Sequence, residues 1–203
     1  MSIDIPLLVL GTGNRKKSLE LVELLAPLGL ELKALRDYPN AITVEENGDS
    51  FAANAALKAG QQAIHLGAWV LGEDSGLSVD ALGGRPGIYS ARYAGPQATD
   101  ALNNRRLLEE LGDTPAAQRT AHYTCHVALA DPTGRIVARA EDYCRGRIRF
   151  APAGDAGFGY DPLFELPEYH RTLAELGQAV KRVLSHRARA VRRLMEIMRA
   201  GGA

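Results

Sequence analysis

The chain has 203 residues, 46% of them hydrophobic and 24% charged, which is enough for one sizeable core and one domain. Its 24 lysines and arginines balance 24 aspartates and glutamates, so no overall field draws it to nucleic acid or anionic lipid, and phosphate chemistry must rest on local clusters. No stretch approaches the roughly twenty apolar residues of a membrane helix, the segment MSIDIPLLVLG has no basic leader, and the two cysteines, Cys125 and Cys144, give no disulfide framework. The expectation is a cytoplasmic protein with reduced core thiols, no membrane and no nucleic-acid partner.

Ile5 to Leu10 reads as a strand running into a glycine loop. Leu19, Leu21, Leu24, Leu25 and Leu28 then mark a helix from about Lys16 to Leu28, stopped by Gly29. Leu30 to Leu35 is a second strand. After a polar loop, Asp49 or Ser50 caps a helix carrying Phe51, Ala55, Leu57, Ala59 and Ile64 and ending at Gly67. Trp69 to Leu71 is a short apolar run that delivers Glu73, Asp74 and Ser75 at its carboxyl end, where α/β folds place ligands. Thr99 caps a helix reaching Leu111. Ala121 to Ala130 and Arg135 to Phe150 flank the turn Asp131-Pro132-Thr133-Gly134 and read as an antiparallel hairpin. A glycine-rich loop, Gly154 to Phe164, precedes a last helical stretch striped by Val191, Leu194, Met195 and Met198. The pattern predicts an α/β fold with a central mixed sheet, elongated into two lobes around a cleft, with the whole chain, 1–203, as a single domain.

Five places carry residues suited to chemistry. The loop Gly11-Thr12-Gly13-Asn14-Arg15-Lys16-Lys17-Ser18 joins a strand to a helix start. Its backbone N–H groups, helix N-terminus and basic side chains suit a phosphate, although a P-loop and a dinucleotide fingerprint both require glycine where Lys16 stands. The plainer reading is a tight turn with solvated basic side chains. Glu45-Glu46-Asn47-Gly48 and Glu73-Asp74-Ser75-Gly76 supply carboxylates that, brought together, would suit Mg²⁺; alternatively both are solvated turn formers. Asn54 and Lys58 share a helix face among alanines, where Lys58 either reaches inward or snorkels. Gly157-Phe158-Gly159-Tyr160-Asp161-Pro162 offers aromatic faces to a base, or else a hydrophobic plug. Lys181 and Ser185-His186-Arg187, the last two in a first helical turn, are further donors.

Together these segments resemble the inosine triphosphate pyrophosphatase family, the XTP/dITP diphosphatases that clear deaminated purine nucleotides. The resemblance rests on TGNRKK (Thr12 to Lys17), VEENGDSFAANAALKA (Val44 to Ala59), EDSGLSVDALGGRPGIYSARYAG (Glu73 to Gly95), GFGYDPLF (Gly157 to Phe164) and SHRARA (Ser185 to Ala190), in the family's order across almost the whole chain. It implies Mg²⁺ dependence, with Mn²⁺ as a substitute, and a homodimer acting on a small nucleotide. By matching position, Asp74 would activate water and hold the metal with Glu45. Thr12, Gly13, Asn14, Arg15, Lys16, Lys17, Lys58 and Ser75 would surround the phosphates. Phe158, Gly159, Tyr160 and Asp161 would hold the base, and Lys181, His186 and Arg187 would complete nucleotide recognition. Many members have two aspartates where this chain has Glu73-Asp74, which leaves open how metal ligation divides between Glu73 and Asp74.

The family's products, a nucleoside monophosphate and pyrophosphate, imply attack of water on the α-phosphorus. Hypoxanthine and xanthine present a 6-keto acceptor where adenine presents an amino donor. A donor such as Arg187 or a loop N–H would pair with the first and be stranded by the second, at a cost of roughly 1–3 kcal/mol. Rival readings are a related pyrophosphatase acting on modified pyrimidine nucleotides, and a nucleotide-sensing module that binds without turnover.

Overall fold

The structure, a computed structural model, describes residues 5–200; residues 1–4 of the N-terminal segment and 201–203 lie outside it. Its elements are β1 (Leu7–Leu10), α1 (Arg15–Leu25), β2 (Glu31–Ala34), α2 (Phe51–Leu66), β3 (Trp69–Val79), α3 (Asp100–Leu111), β4 (Thr120–Ala130), β5 (Ile136–Ile148), β6 (Phe164–Leu166), β7 (Arg171–Thr172), α4 (Leu173–Leu184) and α5 (His186–Ala200). Seven strands form one sheet in the order β2-β1-β3-β4-β5-β6-β7. β1 is parallel to β2 and β3, whereas β6 is antiparallel to β5 and β7. The mixed α/β sheet flanked by helices is therefore present.

The chain divides into two compact units, one comprising the residues up to Asp74, 125–142 and those from Arg187 onward, the other Ser75–Thr124 and Tyr143–His186. In the first unit, strand alternation sends neighbouring side chains to opposite faces of the sheet. Leu8, Leu10 and Leu71 pack with Leu21 and Leu25 of α1 and Val191 and Leu194 of α5. Val9 and Val70 face the other way, onto Ala55, Ala59 and Ala63 of α2. The second unit has its own core, in which Leu77, Leu107, Tyr123, Tyr160 and Phe164 are buried.

Capping sets the helix limits. Ser50 and Thr99 accept from Ala53 N and Leu102 N, both at 3.2 Å, and Gly67 closes α2 in the left-handed region at φ 59°. Three expectations are corrected. β3 does not end near Leu71 but runs to Val79, because the apolar pattern resumes at Leu77 and Val79; Glu73, Asp74 and Ser75 lie in mid-strand. α1 stops at Leu25, and Ala26–Leu28 forms a 3-10 turn around Pro27, which has no N–H to donate. Between the glycine-rich loop and α5 lie β6, β7 and α4, the last opened by a Thr172/Glu175 capping box and bent at Gly177. Both cysteines are buried and unbridged. Among the described residues no helix is long and apolar enough to cross a membrane.

Candidate active site

In the first unit the chemistry begins with a close approach. A Cβ on Gly72 would stand 2.7 Å from the Ala59 nitrogen, so glycine there lets α2 settle closely against β3. From that distance two side chains of α2, four residues apart, both reach Asp74. Lys58 Nζ lies 2.9 Å from Asp74 Oδ1, and Asn54 Nδ2 donates to Oδ2 at 3.3 Å. Asn54 also accepts from Gly48 N at 2.9 Å, which ties down the acidic loop. A Cβ on Gly48 would come within 2.7 Å of that same Asn54 oxygen. The other partner of Lys58 is Glu46, at 2.8 Å, so one ammonium bridges a loop carboxylate and a strand carboxylate.

Electrostatics follow from burial. Burial pushes the Asp74 carboxyl above its ordinary pKa, and the Lys58 and Lys17 ammonium groups oppose that rise. Burial alone would lower the pKa of Lys58, but Asp74, Glu73 and Glu46 outweigh it and hold the ammonium above its usual value.

Glu73 points to the opposite face and is fully buried. Arg187 Nη2 donates to its Oε1 at 3.1 Å, and Lys17 Nζ lies 3.1 Å from Oε2. Arg187, at the start of α5, also donates to Glu20 Oε2 at 2.5 Å. Lys17 and Glu20 are i and i+3 on α1, so that helix grips Glu73 twice, directly and through the guanidinium. The four groups form an alternating, charge-neutral chain. Burial would lower the pKa of Arg187, but the two carboxylates hold it above its ordinary value. The buried Cys125 thiol, its pKa pushed well up by burial, donates to Glu73 Oε1 at 3.5 Å.

The glycine loop before α1 leads into this array. Asn14 caps α1 by accepting from Lys16 N at 3.0 Å and Lys17 N at 3.2 Å, and Thr12 Oγ1 accepts from Asn14 N at 3.2 Å. Thr12 is buried, whereas Gly13, Asn14, Arg15 and Lys16 are exposed.

The donor set suits a hard cation. Among the described residues no three His, Cys, Asp or Glu side chains stand close enough to enclose a metal. Mg²⁺, however, needs only one or two carboxylates and completes its shell with water and substrate phosphate. Asp74 and Glu46 already share one cation, Lys58 Nζ, and Glu45 sits exposed beside Glu46.

The second unit holds an aromatic loop. Gly157 and Gly159 have positive φ, 82° and 63°, and fold residues 157–161 around Asp161. That carboxylate, 3% exposed, accepts from Phe158 N at 2.9 Å and from the buried Lys181 ammonium at 2.7 Å. Lys181 Nζ also lies 4.8 Å from the centre of the Phe158 ring. Tyr160 is anchored at both ends, its N–H to Tyr123 Oη at 3.1 Å and its hydroxyl to the Ser90 carbonyl at 2.8 Å. His186 stacks on Tyr123, ring centres 4.6 Å apart and planes 8° apart.

Of the residues singled out by sequence, Lys17, Lys58, Glu73, Asp74 and Arg187 are thus drawn together in the first unit, and Phe158, Gly159, Tyr160, Asp161 and Lys181 in the second. Ser75 is half-buried in β3. Arg187, expected among the nucleotide's donors, has its guanidinium on Glu20 and Glu73. Sequence reasoning passed over Glu20 and Tyr123. The spacing of Glu20 from Lys17 was a usable signal; nothing local marks Tyr123.

The fold and these contacts define an α/β protein with an acid and cation array set in mid-sheet and a separate aromatic loop. The chain belongs to the Ham1 family, whose model matches residues 8–197. It is 56% identical over 185 residues to a dITP/XTP pyrophosphatase of Rhodopirellula baltica, covering 91% of this chain and 89% of that protein. Among solved structures, a HAM1 protein from Coxiella burnetii is 35% identical with a TM-score of 0.86, covering 96% of this chain and 98% of that one. A nucleoside-triphosphatase / dITP/XTP pyrophosphatase from Mycobacterium abscessus is 40% identical with a TM-score of 0.76, covering 95% of this chain and all of that one (100%). These relatives bear out the resemblance carried by the sequence motifs.

Proposed function

We propose that this chain hydrolyses deaminated purine nucleoside triphosphates (ITP, dITP and XTP) to the nucleoside monophosphate and pyrophosphate, clearing them from the nucleotide pool. The observation that carries the reading is Asp74, buried in mid-strand with each oxygen held by a side chain of α2. A carboxylate so fixed orients a water and accepts its proton as it attacks the α-phosphorus; burial raises its basicity while Lys58 keeps it charged. Lys17, Lys58 and the loop 12–16 take up negative charge on the phosphates and on the leaving pyrophosphate. Mg²⁺, or Mn²⁺ in its place, would sit with Asp74 and the Glu45-Glu46 loop and would supply charge neutralisation at the phosphates. Glu73 serves this reading as the anchored neighbour that Lys17 and Arg187 hold in place. The loop 157–161 takes the base, the Phe158 ring providing the stacking face, with Lys181 and His186 close by. The same reading has one domain of two lobes, working as a cytoplasmic homodimer.

The test is pyrophosphate release from ITP, XTP, dITP, GTP and ATP, each with Mg²⁺ and again with excess chelator. The expected result is metal-dependent release favouring the first three over ATP by about a hundredfold, as two stranded donors would give; guanine shares the 6-keto group, so discrimination against GTP has to come from its 2-amino group. Orthophosphate as product, or tight binding without turnover, would overturn the proposal, the latter in favour of a sensing role.

A further inference from the structure

The loop 157–161 is held by more than its own residues, and the rest of the grip comes from α3. Asp100 and Asn104, four apart, lie on one face of that helix. Asp100 Oδ2 accepts from Gly159 N at 3.0 Å, and Asn104 Nδ2 donates to Gly159 O at 3.0 Å. Both polar atoms of a single backbone residue are therefore clamped by one helix. The residue just before Asn104 on α3, Asn103, does the same for the segment 90–94. Its Oδ1 accepts from Ala94 N at 2.8 Å, and its Nδ2 donates to the Ser90 and Ala91 carbonyls at 3.3 and 3.2 Å. The Ser90 carbonyl also receives the Tyr160 hydroxyl at 2.8 Å, so the two segments are cross-linked on the surface of α3.

Gly159 has no side chain by which to be fixed, and its φ of 63° is a region that glycine enters and leaves freely. The orientation of its two peptide planes decides where the Phe158 ring and the Tyr160-Asp161 backbone point. Selection between a keto and an amino group depends on donor placement to within a fraction of an ångström.

We infer that Asp100 and Asn104 are positioning residues that set base discrimination by locking the Gly159 peptides. The inference rests on the proposed role of loop 157–161 in holding the base. Asn104→Asp keeps the size of the side chain but turns a carboxylate oxygen on the Gly159 carbonyl. Asp100→Ala removes the acceptor. Each should raise KM for ITP about three- to tenfold and narrow the ratio of kcat/KM for ITP over ATP by a similar factor, with kcat within about twofold of wild type, as expected when a hydrogen bond that shapes the site is lost. Asp100→Asn loses the charge but keeps an acceptor, and should restore near-wild-type KM and ratio. A residue that merely stabilised α3 would lower the thermal midpoint and leave KM and the ratio alone.

Wild-type KM and ratio in both Asn104→Asp and Asp100→Ala would overturn the inference, as would Asp100→Asn failing as badly as Asp100→Ala. These outcomes are separable from failure of the function itself: a wild-type enzyme without turnover or base preference defeats both readings, whereas a selective wild type with equally selective variants defeats only this one. If Asp100→Ala does not fold, Asn104→Asp and Asp100→Asn still decide the matter.

Discussion

The two units hold their functional residues by different physical means. Around β3 the holding force is charge: Glu20, Arg187, Glu73 and Lys17 form one chain, and Glu46, Lys58 and Asp74 another. Around Gly159 it is peptide hydrogen bonds and ring contacts, with Lys181–Asp161 as the ion pair at its centre. Buried charges tolerate little, because removing one strands its partner. Peptide clamps are weaker one by one and can be retuned one at a time. On the proposed reading, the reaction is thereby wired to the rigid set and selectivity to the adjustable one.

The largest expected effect probes the charged side. Asp74→Asn keeps the size of the side chain but abolishes the base and leaves one oxygen for two donors, Lys58 and Asn54, so kcat should drop about 10²- to 10⁴-fold, with the fold retained because Lys58 keeps Glu46; turnover within tenfold of wild type would remove Asp74 from the reaction. Next, Arg187→Met leaves Glu20 and Glu73 buried without their shared cation and should cost about 3–5 kcal/mol in chemical denaturation. Adding Glu20→Gln to it should recover part of that loss, and a strictly additive double variant would mean that the two side chains do not act as a chain. Lys181→Met probes the loop. Asp161 retains the Phe158 N–H, so a smaller penalty of about 1–3 kcal/mol is expected; a loss as large as that of Arg187→Met would erase the contrast between the units.

The smallest effect lies on α3 in the second unit, at Glu110. Glu110 has its pKa lowered by the Tyr93 hydroxyl and then by Arg106, while burial and Glu110 together push Tyr93 up to about 12. A depressed carboxyl stabilises the fold above its unfolded pKa and loses that contribution as pH falls through its folded one. Glu110→Gln should therefore cost about 1 kcal/mol or less at pH 7, and the gap to wild type should close in acid; a gap that widens in acid would reverse the sign assigned here.

Much of this could be read along the chain. Ser50 and Thr99 announced their helices, the turn 131–134 separated β4 from β5, and the spacing of Asn54 and Lys58 gave a common face. The illegible parts have physical causes. The polar run Glu73-Asp74-Ser75 hid the middle of β3, because carboxylates in a strand break the apolar alternation that reveals one. α4 was obscured by Gly177, whose φ of 71° interrupts the helical geometry. The pairing of Arg187 with Glu20 spans 167 positions in sequence, beyond any local spacing, and Asp100 meets Gly159 across 59.

β3 also dictates how such a site can change. Glu73 and Asp74 are adjacent in sequence but belong to opposite sides of the sheet, one wired to α1 and α5, the other to α2. Strand parity is all that keeps them apart, and a one-residue insertion or deletion between Trp69 and Glu73 would reverse it, presenting each acid to the other's partners and burying the wrong charge on both faces. Substitution can drift through this segment; a change of length cannot. In evolutionary terms the strand is a reading frame, and the distance from Trp69 to Asp74 should be invariant wherever the reaction is kept.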